Sequence, residues 1–445
     1  MVIFLYLDRL VPYGFIVNGL ITVILFFSLH HILFNHLYQQ PEQIFLTRIF
    51  VLAIIFRISA AIALYFFYKE FNGEPFEFNA VDSKFYHLIA KNLSTQFRLG
   101  NFDISTQLKE IPFSDRGYPV YLGVIYSIFG PGILATRIIN AIISILTVLY
   151  SYKLSKLLFG NIIGRSSAIS ILLLPNLHLY LGTHLKETTM LFLAIMFLYQ
   201  CVKLVKLSNH TWQVITLICL TGFTLFMYRT MLGTVCILSF VGYFITNRPL
   251  KRKSGNILAA FTILSLLFYM IWNSEIGVEI SEYLTKSSTA VTDNLEFRAS
   301  RDGGNKFALL AGAPLFMIII LITPFASFVA VPEQELIWMF IGANMIRNIY
   351  SFFTIAGLYY IARNNFRNSS LLIYYTVGYF GILANSGFAI SERFHLPVVP
   401  ILLIFASVGL THQNKTTKKI FPIYLILITV LTVGWNYIKL AGRGL

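Results

Sequence analysis

The sequence predicts an all-α polytopic membrane protein: a bundle of about 12–13 transmembrane helices, with short amphipathic helices in its first outer loop. Three observations carry this. Hydrophobic residues make up 57% of the 445, and charged residues only 12%, where soluble domains average about 25% charged. Mean hydropathy is +0.72. Apolar runs of bilayer length, about 20 residues each, recur along the whole chain.

Taken in order, candidate spans fall at 13–34, 46–68, 131–158, 163–181, 187–206, 211–228, 231–247, 256–273, 307–330, 338–362, 371–387, 395–411 and 420–438. The chain divides accordingly: N-terminal spans 1–68, an outer loop with amphipathic helices at 69–130, central spans 131–273, an outer loop or lid at 274–306, and C-terminal spans 307–445. The segment 307–330 carries Pro314 and Pro324, which points to a re-entrant or broken helix whose freed backbone groups are satisfied inside the bundle. The N-terminus runs from an apolar stretch and two charges straight into a full-length span, so no cleavable signal peptide is expected. Cys201, Cys219 and Cys236 all sit inside apolar runs, which suits neither a disulfide framework nor a metal cluster.

The net charge of +15 suggests nucleic acid only until the charges are located. They are spread through short loops: Lys153, Lys156 and Arg165; Lys203 and Lys206; Arg248, Lys251, Arg252 and Lys253; Arg363 and Arg367; Lys415, Lys418 and Lys419. That is the pattern of cytoplasmic anchoring, and no nucleic-acid partner is expected. The alternate turns then face outward, among them 69–117, 182–186 and the turns at Arg229 and Arg393.

On that outer face several ionisable groups converge at helix ends: Asp82, Asp115, Arg116, Lys186, Glu187, Arg229, Glu392 and Arg393. Charges at membrane depth default to functional roles, although snorkelling lowers the cost at helix ends. In AVDSKFYHLIAKNL, Asp82 opens a helix whose Phe85, Leu88, Ile89 and Leu93 share a face. Taken alone, Asp82 reads first as an N-cap and second as a general base at the water–lipid boundary. Tyr86, one turn on, either meets substrate or anchors the helix. Gly117 and Pro119 are expected to break the chain before a short helix ending at Gly130. Asp115 and Arg116 form a local ion pair, or Arg116 faces a phosphate. Glu187 suits a helix N-terminus; Lys186 and His184 beside it could bind an anion there. Glu187 with Asp82 could also hold a divalent metal. Glu392 could neutralise Arg393, or Arg393 could grip a phosphate with its two-pronged guanidinium.

The order of these stretches resembles the GT-C glycosyltransferases, in the branch of protein O-mannosyltransferases and aminoarabinose transferases with their bacterial relatives. The resemblance rests on Asp82, Tyr86, Ala90 and Leu93, on Arg116–Pro119, and on Phe129–Gly130. It continues through Arg137, Asn140, Leu158–Gly160, Pro175 and Lys186–Glu187, and returns at Arg393, Phe394, Pro397 and Pro400. Many relatives carry an acidic pair where this chain has Asp82 and Ser83.

The resemblance implies a sugar held on a polyprenyl phosphate and an acceptor hydroxyl on a glycan, lipid or protein. Asp82 would be the base of an inverting transfer at the outer, periplasmic face of a bacterial inner membrane. Arg393, Arg229, Lys186 or Arg116 would steady the leaving phosphate, so a metal is not strictly required. Two other classes compete. A polysaccharide polymerase or ligase would use a lipid-linked oligosaccharide and the outer-loop cations Arg298, Arg301 and Lys306. A transporter or flippase would show internal repeats and polar groups near mid-membrane, and no repeat is evident.

Overall fold

The computed structural model describes residues 7–206, 211–247, 274–282, 319–331, 335–385 and 391–441. Among the described residues it is all-helical, 85% helix with no strand. Among the described residues six helices are long and apolar enough to cross a membrane: α1 (Tyr13–Leu37), α2 (Glu42–Asn72), α5 (Ile133–Phe159), α8 (Glu187–Lys206), α10 (Thr230–Asn247) and α15 (Lys415–Ala441). A bent pair, α6 (Asn161–Leu173) with Pro175–Gly182, whose first part is α7 (Pro175–Leu179), adds a seventh if counted as one broken span. The remaining principal helices are α3 (Val81–Arg98), α4 (Phe113–Phe129), α9 (Thr211–Tyr228), α11 (Ile341–Asn364), α12 (Phe366–Asn385), α13 (Glu392–His395) and α14 (Val399–Thr411). This is an integral membrane α-bundle. The span expected at 256–273, the basic cluster at 248–253, residues 307–318 with Pro314, and the loop cations Arg298, Arg301 and Lys306 lie outside the described residues.

Proline and glycine set the helix ends that position the site. α2 stops at Gly73, whose φ of 72° suits a residue without Cβ. α4 begins after Pro112 and runs straight through Gly117 and Pro119, contrary to the expected break. Gly117 is a contact position instead: a Cβ there would fall 2.5 Å from the Tyr228 ring. It lets α4 press against the end of α9, next to Arg229.

The buried face of α3 also differs from expectation. Tyr86, Ala90, Leu93 and Phe97 turn inward, mainly against α4, while Phe85 and Leu88 are exposed. Exposed apolar side chains beside a polar stretch suit a helix lying in a lipid interface.

Two breaks in the bundle are repaired by polar side chains. α6 and α7 meet at a 49° bend before Pro175, which can donate no backbone N–H. The fully buried Arg57 donates to the Ile171 carbonyl at 2.7 Å, and His178 bonds the Leu172 carbonyl at 2.7 Å. Freed backbone groups inside a bundle need such partners.

The described part of the expected span 307–330, residues 319–330, is interrupted in the same way. Residues 319–322 are helical, and the chain is non-helical from Thr323 to Val331. Arg347 donates to the Thr323 carbonyl at 3.1 Å, and Asn348 to those of Ile322 and Pro324 at 2.6 and 3.0 Å. Asn436 closes the segment, accepting from the Phe328 N–H and donating to the Ala326 carbonyl.

α11 and α14 cross at paired glycines. A Cβ on Gly357 would strike the Phe405 carbonyl oxygen, and one on Gly409 the Phe353 carbonyl oxygen. Small residues at such crossings let backbones touch. This contact fixes α14, and with it the short α13 that carries Arg393.

Candidate active site

Five elements meet at one end of the bundle: the first turn of α3, the first turn of α4, the start of α8, the single-residue junction at Arg229 between α9 and α10, and α13. Arg393 links two of them. Its Nη1 lies 2.5 Å from Asp82 Oδ2, and its Nε 2.5 Å from Glu187 Oε1. Arg229 approaches the same Glu187 oxygen at 4.0 Å and donates to the Tyr379 hydroxyl at 3.2 Å. Its guanidinium lies 4.6 Å over the Phe394 ring. Tyr379 in turn donates to the Phe394 carbonyl at 2.8 Å, tying α12 to α13.

A second arm joins α3, α4 and the turn before α8. Lys186 Nζ lies 2.5 Å from Asp115 Oδ1 and donates to the Ser114 carbonyl at 3.1 Å. Tyr86 donates to the same Asp115 oxygen at 2.8 Å.

Exposure separates these charges. The Glu187 side chain is 1% exposed, Arg393 23% and Asp82 51%. Asp82 is therefore the carboxylate of the Arg393 pair that an incoming molecule can reach. Burial alone would depress the charge of Arg393, but Glu187 and Asp82 outweigh it and raise its pKa. Burial would likewise raise Asp115; Lys186 and Tyr86 overcome it, so its carboxyl is held low. Lys186 is lowered by burial, with Asp115 opposing.

Several local readings are corrected. Asp82 is not the N-cap: α3 begins at Val81 after Ala80, with no side-chain cap bond, and the Asp82 carboxylate is drawn to Arg393. Asp115 and Arg116 do not pair. Neighbours on a helix point about 100° apart, so Asp115 turns to Lys186 while Arg116 meets Glu275 at 2.6 Å and the Ile111 carbonyl at 2.8 Å. Glu392 does not neutralise Arg393. Its carboxyl is pushed up to about 8 by burial, with the Arg347 guanidinium opposing.

Lys186 is engaged by Asp115. His184 is fully buried, bonded through Nε2 to the Tyr126 hydroxyl at 3.0 Å, and pushed down to about 3 by burial. Neither stands open to an anion in this arrangement. Asp82 and Glu187 share the Arg393 guanidinium instead of an open cation position. Among the described residues no group of three or more His, Cys, Asp or Glu side chains is set to hold a metal ion. These residues do not fit a divalent metal as they stand.

Sequence reading missed Glu77. It is buried, accepts from the Ser83 hydroxyl and from the His184 backbone N–H at 3.2 Å, and is raised by burial. Ser83 donates to Glu77 and so points away from Arg393. The only hint was an acid set between Phe76 and Phe78 just ahead of a helix start. Residues 275–282 also join the site's flank: Glu279 accepts from the Ser114 N–H at 3.1 Å and from the Thr230 hydroxyl.

Comparison with curated proteins gives no match. A family model, described as dolichyl-phosphate-mannose-protein mannosyltransferase, matches residues 118–272, about a third of the chain. That stretch carries His184, Lys186, Glu187 and Arg229, while Asp82, Asp115, Arg116 and Arg393 fold onto it from outside. Over its matched third the chain is thus similar to a family of membrane glycosyltransferases.

Proposed function

We propose that the protein transfers a sugar from a polyprenyl-phosphate carrier to an acceptor hydroxyl on a glycan, lipid or protein, with inversion, and that Asp82 is the general base. The observation that carries this reading is Arg393, which bridges the half-exposed Asp82 and the buried Glu187. Such a transfer needs a proton acceptor on one side of the anomeric carbon and positive charge on the other. Here the two are paired before substrate arrives, and they part to admit the anomeric carbon between them.

In the proposed step the acceptor oxygen forms a bond to the anomeric carbon. Its proton passes to the Asp82 carboxylate. The bond from that carbon to the phosphate oxygen breaks, and polyprenyl phosphate leaves with the electron pair. Arg393 and Arg229 face the charge that develops on the phosphate. A guanidinium suits that task because it offers paired N–H donors. Lys186, Asp115 and Tyr86 hold α3 and α4 in register beneath the site. Arg116 fastens residues 275–282, and His184 and Glu77 support the turn before α8.

Orientation is part of the proposal: the site faces outward. Lys156 pairs with Glu42, Arg165 donates to the Leu37 and Tyr38 carbonyls, Lys206 to the Leu157 carbonyl and Arg367 to the Asn247 carbonyl. These contacts gather basic residues at the end of the bundle away from Asp82, the end that faces the cytoplasm under the positive-inside rule.

The test is product stereochemistry. Purified protein, given a synthetic polyprenyl-phosphate sugar and a hydroxyl acceptor, is expected to release polyprenyl phosphate. The new linkage, read by NMR, should have the anomeric configuration opposite to the donor's. Retention of configuration, or no release with any such donor, would sink this reading.

A further inference from the structure

Arg393 has a fixed end and a releasable end. Its Nε bond goes to Glu187, which is 1% exposed; its Nη1 bond goes to Asp82, which is 51% exposed. Breaking the first would strand a charge in a buried site, whereas an exposed pair exchanges partners at little cost. Glu187 also keeps its second oxygen, Oε2, enclosed and without a hydrogen-bond partner. That oxygen can take a side-on bond from Arg393 Nη2, on the guanidinium edge that Asp82 does not hold, which keeps the group on Glu187 when Asp82 lets go.

The surrounding charge balance sharpens the point. Three carboxylates (Asp82, Asp115, Glu187) are interleaved with three cations (Lys186, Arg229, Arg393). A phosphodiester that reaches for Arg393 in this cluster must take it from a carboxylate already holding it. Asp115 is secured by Lys186 and Tyr86, and Glu187 is buried. Asp82 is the carboxylate that can yield.

The geometry points to an ion-pair exchange: the donor's phosphate displaces Asp82 from Arg393, with Glu187 as the positioning residue that keeps the guanidinium in place while it changes partners. Asp82 Oδ2 is then released to the acceptor hydroxyl only when a donor is seated. The device couples the base to donor occupancy. It rests on the proposed function, since it takes the ligand to be a lipid-linked phosphate.

The exchange makes Asp82 a competitor of the donor, and that is measurable without turnover. The probe is polyprenyl phosphate, with uncharged polyprenol as the control, titrated against the full-length purified protein without acceptor. Asp82→Asn should bind polyprenyl phosphate about two- to fivefold more tightly, the range expected for losing one exposed ion pair, and bind polyprenol unchanged. Simple removal of a negative charge would also tighten binding, so the decisive comparison is a double-mutant cycle. In a Glu187→Gln background Arg393 is no longer held toward Asp82, and Asp82→Asn should add no gain. In Glu187→Asp the gain should return. Arg393→Lys, which lacks the fork needed to hold two carboxylates, should abolish the gain and serves if Glu187→Gln fails to fold. An equal gain in all backgrounds, or none in the wild-type background, overturns the exchange. A wild-type protein that does not prefer polyprenyl phosphate to polyprenol overturns the proposed function instead.

Discussion

Arg229 reaches the cluster from a junction of one residue, between α9 ending at Tyr228 and α10 starting at Thr230. The Phe394 ring and Tyr379 hydroxyl hold its guanidinium in place without consuming its charge. Removing a preorganised group that faces developing charge typically costs about 10²–10³ in kcat. Arg229→Gln should fall in that range in a steady-state transfer assay. Arg116→Gln should leave kcat within about tenfold, because Arg116 is turned to Glu275 and backbone carbonyls.

His184 makes a separate prediction about pH. Its pKa falls from 6.5 to about 3 through burial. In that window the unfolded chain binds a proton that the folded chain refuses, so stability falls as pH falls from about 6.5 toward 3. The melting temperature in detergent should drop with acidification, and His184→Gln should flatten the drop. An identical slope in the variant would contradict the assignment.

Residue identity was legible in the sequence because charges are rare and gather at span ends. Pairing was not. Asp115 sits beside Arg116 yet meets Lys186, and Arg393 sits beside Glu392 yet meets Asp82 and Glu187. Local sequence favours the neighbour; helix geometry turns neighbours apart and leaves the choice to tertiary packing.

Among elements, the α11–α14 crossing bears most directly on the site, because α14 continues from the turn that carries Arg393. Gly357 and Gly409 face carbonyl oxygens of the opposing helix with no room for a Cβ. Gly409→Ala should lower the melting temperature and the yield of monodisperse protein, whereas Ala at Gly434, where a Cβ meets nothing within 4 Å, should cost far less. Equal tolerance at both would mean the helices do not touch there.

Spans were readable from apolar length, as α5, α8 and α10 show. Breaks were less so. Pro175 bends a span and Pro324 lies just past a helix end, yet Pro119 sits inside α4 and Pro422 inside α15. A proline marks a lost hydrogen bond, and the bundle decides whether Arg57, Asn348 or Asn436 stands by to repair the backbone. Those partners come from distant helices and leave no local pattern.

At the scale of the whole molecule the charges divide by function. One end carries basic residues tied to backbone carbonyls and to Glu42; the other carries the interleaved cluster around Arg393. In a cysteine-free background, a cysteine placed at Asn101 should react with a membrane-impermeant maleimide in intact cells. One at Gln39 should react only after permeabilisation. The reverse pattern would place the site in the cytoplasm and remove the outer-leaflet donor from the account.

The membrane α-bundle class was visible from composition alone, since each crossing must satisfy the bilayer by itself. The site was not, because Asp82, Glu187 and Arg393 come from three regions and meet only when the bundle closes. The most direct test of Asp82 as the base is the rate of sugar transfer by Asp82→Asn at saturating polyprenyl-phosphate sugar, beside the wild type. A positioned base contributes about 10²–10⁴-fold, so the variant should fold and retain the lipid yet lose at least about a hundredfold in kcat. Turnover near the wild-type rate would contradict the account.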